Sequence, residues 1–246
     1  MLHLLRRHPF TVSAFFRHSL VLTYAFAPAI LEPLLNPGLA LDTWRDSAFL
    51  AIALVQTERL RPAFLPAAFG RDFFLSGYRI FVRRGSQRGL QILRSDTNRR
   101  AMVWAGNLLT HYHYQLCRAE FVPQGDAMLW RIRTPRAEAD LDIVEHPGHT
   151  LRLPEGSPFA TAGDARRYAG PLPLTYSYEP ESRSLIAIRG LRREWKPRHA
   201  RVAVRHATFF DRPPFRGAAP VLAAAFTVEA VPYQWTRGKR IPVEVS

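Results

Sequence analysis

Short apolar runs rich in β-branched and aromatic residues, each ended by turn residues, recur from Ser19 to Trp235. Runs of this length form strands, and tight connections between them make neighbours antiparallel. The plainest case is Phe73 to Arg83, a turn at Gly85-Ser86-Gln87, and a return over Gly89 to Arg94. Ser19 to Phe26 reads as a buried strand. Leu39 to Trp44 and Ala48 to Thr57 pair across Arg45-Asp46, and Met128 to Arg133 pairs with Ala139 to Val144. Leu109 to Phe121, Leu174 to Tyr178, Ser184 to Arg189, Arg201 to His206 and Ala224 to Trp235 bring the total to about ten strands.

Three helices interrupt them. Pro28 opens one over Ala29 to Leu35, stopped by Asn36-Pro37-Gly38. Asp96 is placed to cap a second through Leu108, where Ala101, Trp104, Ala105 and Leu108 recur at helical spacing. A third follows the capping box Thr161-Ala162-Gly163-Asp164 and ends at Gly170-Pro171. The fold class is therefore α+β, mainly antiparallel β. So many antiparallel strands avoid exposed edges by curling or closing into a barrel. No Ser/Gly linker or internal repeat divides the 246 residues, so one domain spanning 1–246 is expected, large enough to hold a cavity.

The charge is lopsided: 34 basic residues oppose 20 acidic ones, a formal net charge of +14, and only Lys196 and Lys239 are lysines. Arginine suits anionic ligands. The densest groups are the pairs Arg6-Arg7, Arg83-Arg84 and Arg192-Arg193, with no longer run, so a dedicated nucleic-acid stripe is not expected. A polyanion-binding surface, for nucleic acid or anionic lipid, is the weaker alternative. Cys117 is the only cysteine, which leaves no intrachain disulfide and fits a reducing, cytoplasmic setting. No secretory signal pattern is visible. The apolar stretch Ser19 to Leu31 is too short to span a bilayer, so no membrane insertion is expected.

Chemistry concentrates in Thr110-His111-Tyr112-His113-Tyr114. In a strand, His111 and His113 share one face, and Tyr112 and Tyr114 the other. Two histidines could begin a metal site with Glu145, His146 or His149, but no spacing brings these together, and neither metal nor other cofactor is expected. Tyr78 and Arg79 sit within an apolar run. Arg79 could anchor a carboxylate or phosphate, or point outward on an alternating strand, and Arg94 on the returning strand could face the same ligand. Gly-x-Ser-x-Gly elbows, phosphate loops and dinucleotide fingerprints are all missing. Cys117 reads as a buried inert thiol.

Several strings carry a family resemblance: Arg17-His18-Ser19-Leu20-Val21-Leu22-Thr23-Tyr24, Phe73-Phe74-Leu75-Ser76-Gly77-Tyr78-Arg79, and Gly106-Asn107-Leu108-Leu109-Thr110-His111-Tyr112. Leu153-Pro154-Glu155-Gly156-Ser157-Pro158-Phe159 and Ala169-Gly170-Pro171-Leu172-Pro173 extend it. Over most of its length the chain resembles the YqjF-like family (domain of unknown function 2071), bacterial proteins grouped with the acetoacetate decarboxylase-like superfamily. The resemblance implies a cone-shaped antiparallel β-barrel with peripheral helices and an internal ligand cavity. It also implies where chemistry would sit. The decarboxylase forms an imine through a lysine beside a second lysine. Placed without gaps from Gly106, that pair falls on Tyr114 and Gln115, and the decarboxylase's carboxylate falls on Arg79.

The expectation is a protein that binds a small, anionic organic ligand without a Schiff-base lysine. Its binding residues would be Tyr78, Arg79, Arg94, Tyr112, His113 and Tyr114. Tyr114 and His113 are the candidates for acid–base work. An enzyme on this plan would be lyase-like or isomerase-like on a small acid. The alternative is a non-catalytic sensor or carrier, and assembly into a homo-oligomer stays open.

Overall fold

The computed structural model describes residues 2–148, 150, 152–170, 172–193 and 195–243. The first half runs β1 (Val12–Phe26), α1 (Pro28–Leu31), β2 (Ala40–Leu41), β3 (Thr43–Trp44), β4 (Ser47–Pro62), β5 (Arg71–Arg84), β6 (Gln87–Thr97), α2 (Arg100–Leu109) and β7 (Tyr114–Leu116). It continues with β8 (Arg118–Gln124), β9 (Ala127–Arg133), β10 (Leu141–His146), α3 (Ala162–Ala169), β11 (Leu174–Glu179) and β12 (Ser184–Arg192). The last strands are β13 (Arg198–His199), β14 (Arg201–Ala207), β15 (Val221–Trp235) and β16 (Lys239–Pro242). The fold is mostly β with few helices, and no helix among the described residues is long and apolar enough to cross a membrane.

The main sheet has the order β13-β15-β1-β4-β5-β6-β11-β12-β16, with β2 on β5, β3 on β4 and β7 on β6. β12 also pairs with β15 through Gly190, Leu191 and Arg192, so hydrogen-bonded neighbours lead from β15 through β1 round to β12 and back. A smaller sheet has the order β14-β10-β9-β8.

Alternation along the long strands divides their side chains between two tasks. Leu20, Leu22, Ile52, Leu54, Phe74 and Tyr78 pack with Trp130, Ile132, Leu141 and Ile143 of the smaller sheet. Each such fully buried side chain contributes about 1.5–3 kcal/mol. The residues between them, among them Ser19, Val21, Ala53, Val55, Leu75 and Arg79, face the other way and line a cavity. Several of these are small, which leaves the second face hollow. The two sheets also meet through charge: His18 of β1 lies 2.9 Å from Glu145 of β10 and 3.2 Å from Glu229 of β15, and the Trp130 indole donates to Glu145 at 2.9 Å.

Four local expectations change. The strand expected over Leu39 to Trp44 splits: Thr43–Trp44 pairs with β4 as expected, but Ala40–Leu41 joins β5. The strand expected over Leu109 to Phe121 is broken. The Thr110 N–H and hydroxyl both donate to the Gly106 carbonyl, at 2.8 and 2.7 Å, ending α2 there. His113 then takes φ 53°, and β7 joins β6 in parallel instead of forming a long antiparallel strand. Asp96 does not cap α2, because it lies in β6 and accepts from Ser76 at 3.0 Å and Arg94 at 2.8 Å. The helix expected over Ala29 to Leu35 shortens to α1 and a 3-10 turn, Glu32–Leu34, since Pro33 has no N–H to continue the ladder. The Thr161 cap of α3 is present: its hydroxyl oxygen accepts from the Asp164 N–H at 3.0 Å. Pro171, the expected stop, lies outside the described residues.

Candidate functional site

Between α2 and the hollow face of the main sheet lies a cavity of about 240 Å³. Its walls are apolar, with Phe16, Val55, Phe73, Leu75, Ile92 and Met102 among them. On one side Phe16 stacks on Tyr233 at 4.5 Å and meets Trp235 edge-on at 5.5 Å. The described lining residues include Arg61, Arg79 and Arg192 but no Asp or Glu. His8 also lines the cavity, and burial pushes its pKa down to about 4, so it adds no charge near neutral pH.

Arg79 is the central polar feature. It sits mid-strand in β5, half-buried, opposite Ala51 on one side and Ile92 on the other. Its Nε is sealed from solvent and makes no hydrogen bond, and no carboxylate among the described residues pairs with the guanidinium. A buried donor on a cation is costly to leave unmatched. Gly77 makes the space for it, because a Cβ there would lie 2.8 Å from Arg79 Nε. A side chain at this position would displace the guanidinium and leave the backbone where it is.

Tyr112 and Tyr114 stand beside it, with ring centres 6.3 Å apart. Burial pushes the Tyr114 phenol up to about 12, and Arg79 pulls the other way. Burial raises Tyr112 further, again opposed by Arg79. Both phenols are therefore neutral donors at neutral pH: they can hold an anion or polarise a carbonyl, but they do not supply a base. The Tyr112 hydroxyl is buried without a partner of hydrogen-bonding geometry, Thr175 lying near enough only to ease its ionisation. The Trp195 indole N–H is likewise unmatched. Tyr114 is fixed by Gly106 and Asn107, the two residues that open the Gly106-to-Tyr112 string. Asn107 accepts from its N–H at 2.8 Å and donates to its carbonyl at 2.9 Å. A Cβ on Gly106 would lie 2.3 Å from its ring.

Tyr78, Arg94 and His113 do not line the cavity. Tyr78 and Arg94 are directly opposite each other in the β5–β6 pair, so both turn to the face away from Arg79. There the Tyr78 hydroxyl donates to the Ala139 carbonyl at 3.3 Å, and Arg94 pairs with Asp96 at 2.8 Å and Glu138 at 3.0 Å. His113 is exposed on the turn before β7. His111 is buried 4.0 Å from Glu179, outside the cavity, and burial followed by the charge of Arg6 lowers its pKa. The other proposed metal ligands are elsewhere: Glu145 bonds His18, His146 borders a surface dimple, and His149 lies outside the described residues. Among the described residues no group of three or more His, Cys, Asp or Glu is placed to hold a metal ion.

Sequence reasoning did not anticipate Ser19, Ser95, Thr175, Trp195, Tyr233 or Trp235 in the lining. Only the positions of Gly77 and Gly106 carried a readable signal, a glycine beside each polar anchor.

Solved structures define the class. The fold is similar to acetoacetate decarboxylase from Legionella pneumophila, with TM-score 0.64 and 12% identity over 95% of this chain and 88% of that one. It is also similar to an acetoacetate decarboxylase-like enzyme from Sphingomonas wittichii, with TM-score 0.62 and 14% identity over 96% and 94%. A third likeness is to the enduracididine biosynthesis enzyme MppR complexed with pyruvate, with TM-score 0.59 and 11% identity over 94% and 90%. At these identities the likeness establishes an acetoacetate decarboxylase-like fold and nothing further. Within that class, the chain belongs to the DUF2071 family, described as an uncharacterized conserved protein, whose model matches residues 13–232. No curated protein matches the chain.

Proposed function

We propose that this single domain is a cone-shaped barrel that binds a small monocarboxylate in its cavity, with Arg79 holding the carboxylate and Tyr112 and Tyr114 donating to it or to a neighbouring carbonyl. The observation that carries this reading is a half-buried, unpaired Arg79 guanidinium facing an apolar cavity free of described acids. The lining would hold an apolar body of a few carbons. MppR, which shares the fold, was solved with pyruvate, a carboxylate of this size.

Imine chemistry is not part of the proposal. Lys196 and Lys239 are the only lysines; both are exposed, and neither lines the cavity. Sodium borohydride added with a keto acid should therefore leave the mass of the intact chain unchanged. A stable adduct would contradict the reading.

The direct test is a thermal-shift series of small carboxylates against their matching amides, on the wild type and Arg79→Met. Carboxylates should raise the wild-type midpoint and amides should not. Charge-assisted hydrogen bonds are worth about 1.5–3 kcal/mol, so Arg79→Met should weaken binding roughly 10- to 100-fold. Equal stabilisation by acid and amide would remove Arg79 from the site.

A further inference from the structure

Helix α2 is apolar almost all round yet only half-buried. Between Arg100 and Leu109 only Arg100 and Asn107 are polar, and only Gly106 is fully buried. A helix apolar on every side belongs in a core or against lipid. Its inner side borders the cavity through Met102, Ala105 and Leu109. Its outer side leaves Trp104 71% exposed. The 3-10 turn Leu2–Arg7 packs against α2 and leaves Leu4 and Leu5 45% and 40% exposed. A surface groove here is lined by Arg6, Arg100, Trp104, Leu108 and Leu116.

The groove lining carries charge of one sign, Arg6 and Arg100 with no acid, while the neighbouring Arg7 is paired with Glu179 at 2.6 Å. Arg6 donates to the Asn107 carbonyl at 3.1 Å, and no carboxylate among the described residues pairs with Arg6, Arg99 or Arg100. The first turn of α2 has no acidic residue and no side-chain cap, so the positive end of its dipole adds to Arg99 and Arg100.

We propose that this face seats the protein on an anionic lipid bilayer, with Trp104, Leu4 and Leu5 entering the headgroup region and Arg6, Arg99 and Arg100 meeting lipid phosphates. Aromatic and aliphatic side chains ringed by arginines have the composition of an interfacial anchor, which lies on the membrane without crossing it. A second copy is a poor occupant, because a two-fold contact would gather Arg6 and Arg100 of both copies at one groove whose lining offers no carboxylate. A soluble polyanion satisfies the arginines but leaves the three apolar side chains in water.

Sedimentation with phosphatidylcholine vesicles, with and without phosphatidylglycerol, tests this. Binding should require phosphatidylglycerol. Trp104→Ala and Arg100→Glu should each lower the bound fraction roughly tenfold, about what one buried apolar side chain or a reversed charge supplies. The exposed control Arg205→Glu should bind as wild type, and unchanged melting of each variant separates loss of contact from loss of fold. Vesicles with brominated acyl chains should quench tryptophan emission in the wild type but not in Trp104→Phe. The proposal is overturned by equal binding to both vesicle types, by binding that survives Trp104→Ala, or by an equal loss in Arg205→Glu. Arginine-dependent binding to heparin with no quenching by brominated lipid would assign the face to a soluble polyanion instead.

Discussion

Adjacent residues Tyr78 and Arg79 serve opposite sides of one strand, and their substitutions should separate accordingly. Tyr78→Phe removes a hydroxyl from the core between the sheets, where it donates to Ala139 at 3.3 Å. It should cost about 1 kcal/mol of stability in denaturant unfolding and leave carboxylate affinity unchanged. Gly77→Ala should do the reverse. The added Cβ meets only the far end of the flexible Arg79 side chain, so the fold absorbs it while the guanidinium is displaced. Carboxylate affinity should fall about tenfold by calorimetry with a melting shift under about 4 °C. That Tyr78 and Arg79 cannot share a ligand follows from strand alternation alone. That Arg94 sides with Tyr78 does not, because it depends on the register shift between Tyr78 and Arg79 in the β5–β6 pairing, which no residue pattern announces.

Among the elements, the turn after α2 positions Tyr114 through Asn107. Asn107→Ala deletes both bonds to the Tyr114 backbone and should cost about 1–3 kcal/mol, read from the urea midpoint, together with weaker carboxylate binding. Asn107→Asp keeps only the acceptor and should fall between. The β5–β6 hairpin, the β9–β10 hairpin and the cap of α3 were legible because the Gly85 turn, the short Pro135-containing connection and a Thr-x-x-Asp cap act locally. The segment Leu109 to Phe121 was not. Its aromatics suit a strand, but Thr110 diverts the chain by bonding back to Gly106, and Tyr114 then gains a partner strand from β6, which lies earlier in the sequence. Asp96 misleads for a related reason: its partners Ser76 and Arg94 are brought to it by sheet pairing, so its position before α2 says little about its role. The cavity was legible as Arg79 and two tyrosines, whereas Ser19, Thr175 and Tyr233 reach it only through long-range pairing of β1, β11 and β15.

Across the whole molecule the two sheets are joined at His18, and this makes stability depend on pH. Burial alone would lower the His18 pKa, but the hydrogen bonds and charges of Glu145 and Glu229 outweigh it and raise it. A histidine with a raised folded pKa contributes fully below its unfolded value of about 6.5, and the contribution is lost as pH climbs through the folded value. The melting midpoint should therefore decline from about pH 6.5 upward, and His18→Gln should flatten that decline. The ring of strand pairings carries another consequence. β15 meets β1 along thirteen registered partners but meets β12 at only three, Gly190 with Trp235, Leu191 with Gln234 and Arg192 with Tyr233. Arg192, Tyr233 and Trp235 are also cavity walls. This row of three rungs, short beside the thirteen of β1–β15, can thus serve as a side door: a small local unzipping there would admit solvent or a guest while the long pairings of β1 stay closed. Amide hydrogens along those rungs should exchange ahead of those between β1 and β4, and a bound carboxylate should slow them by latching the door from inside.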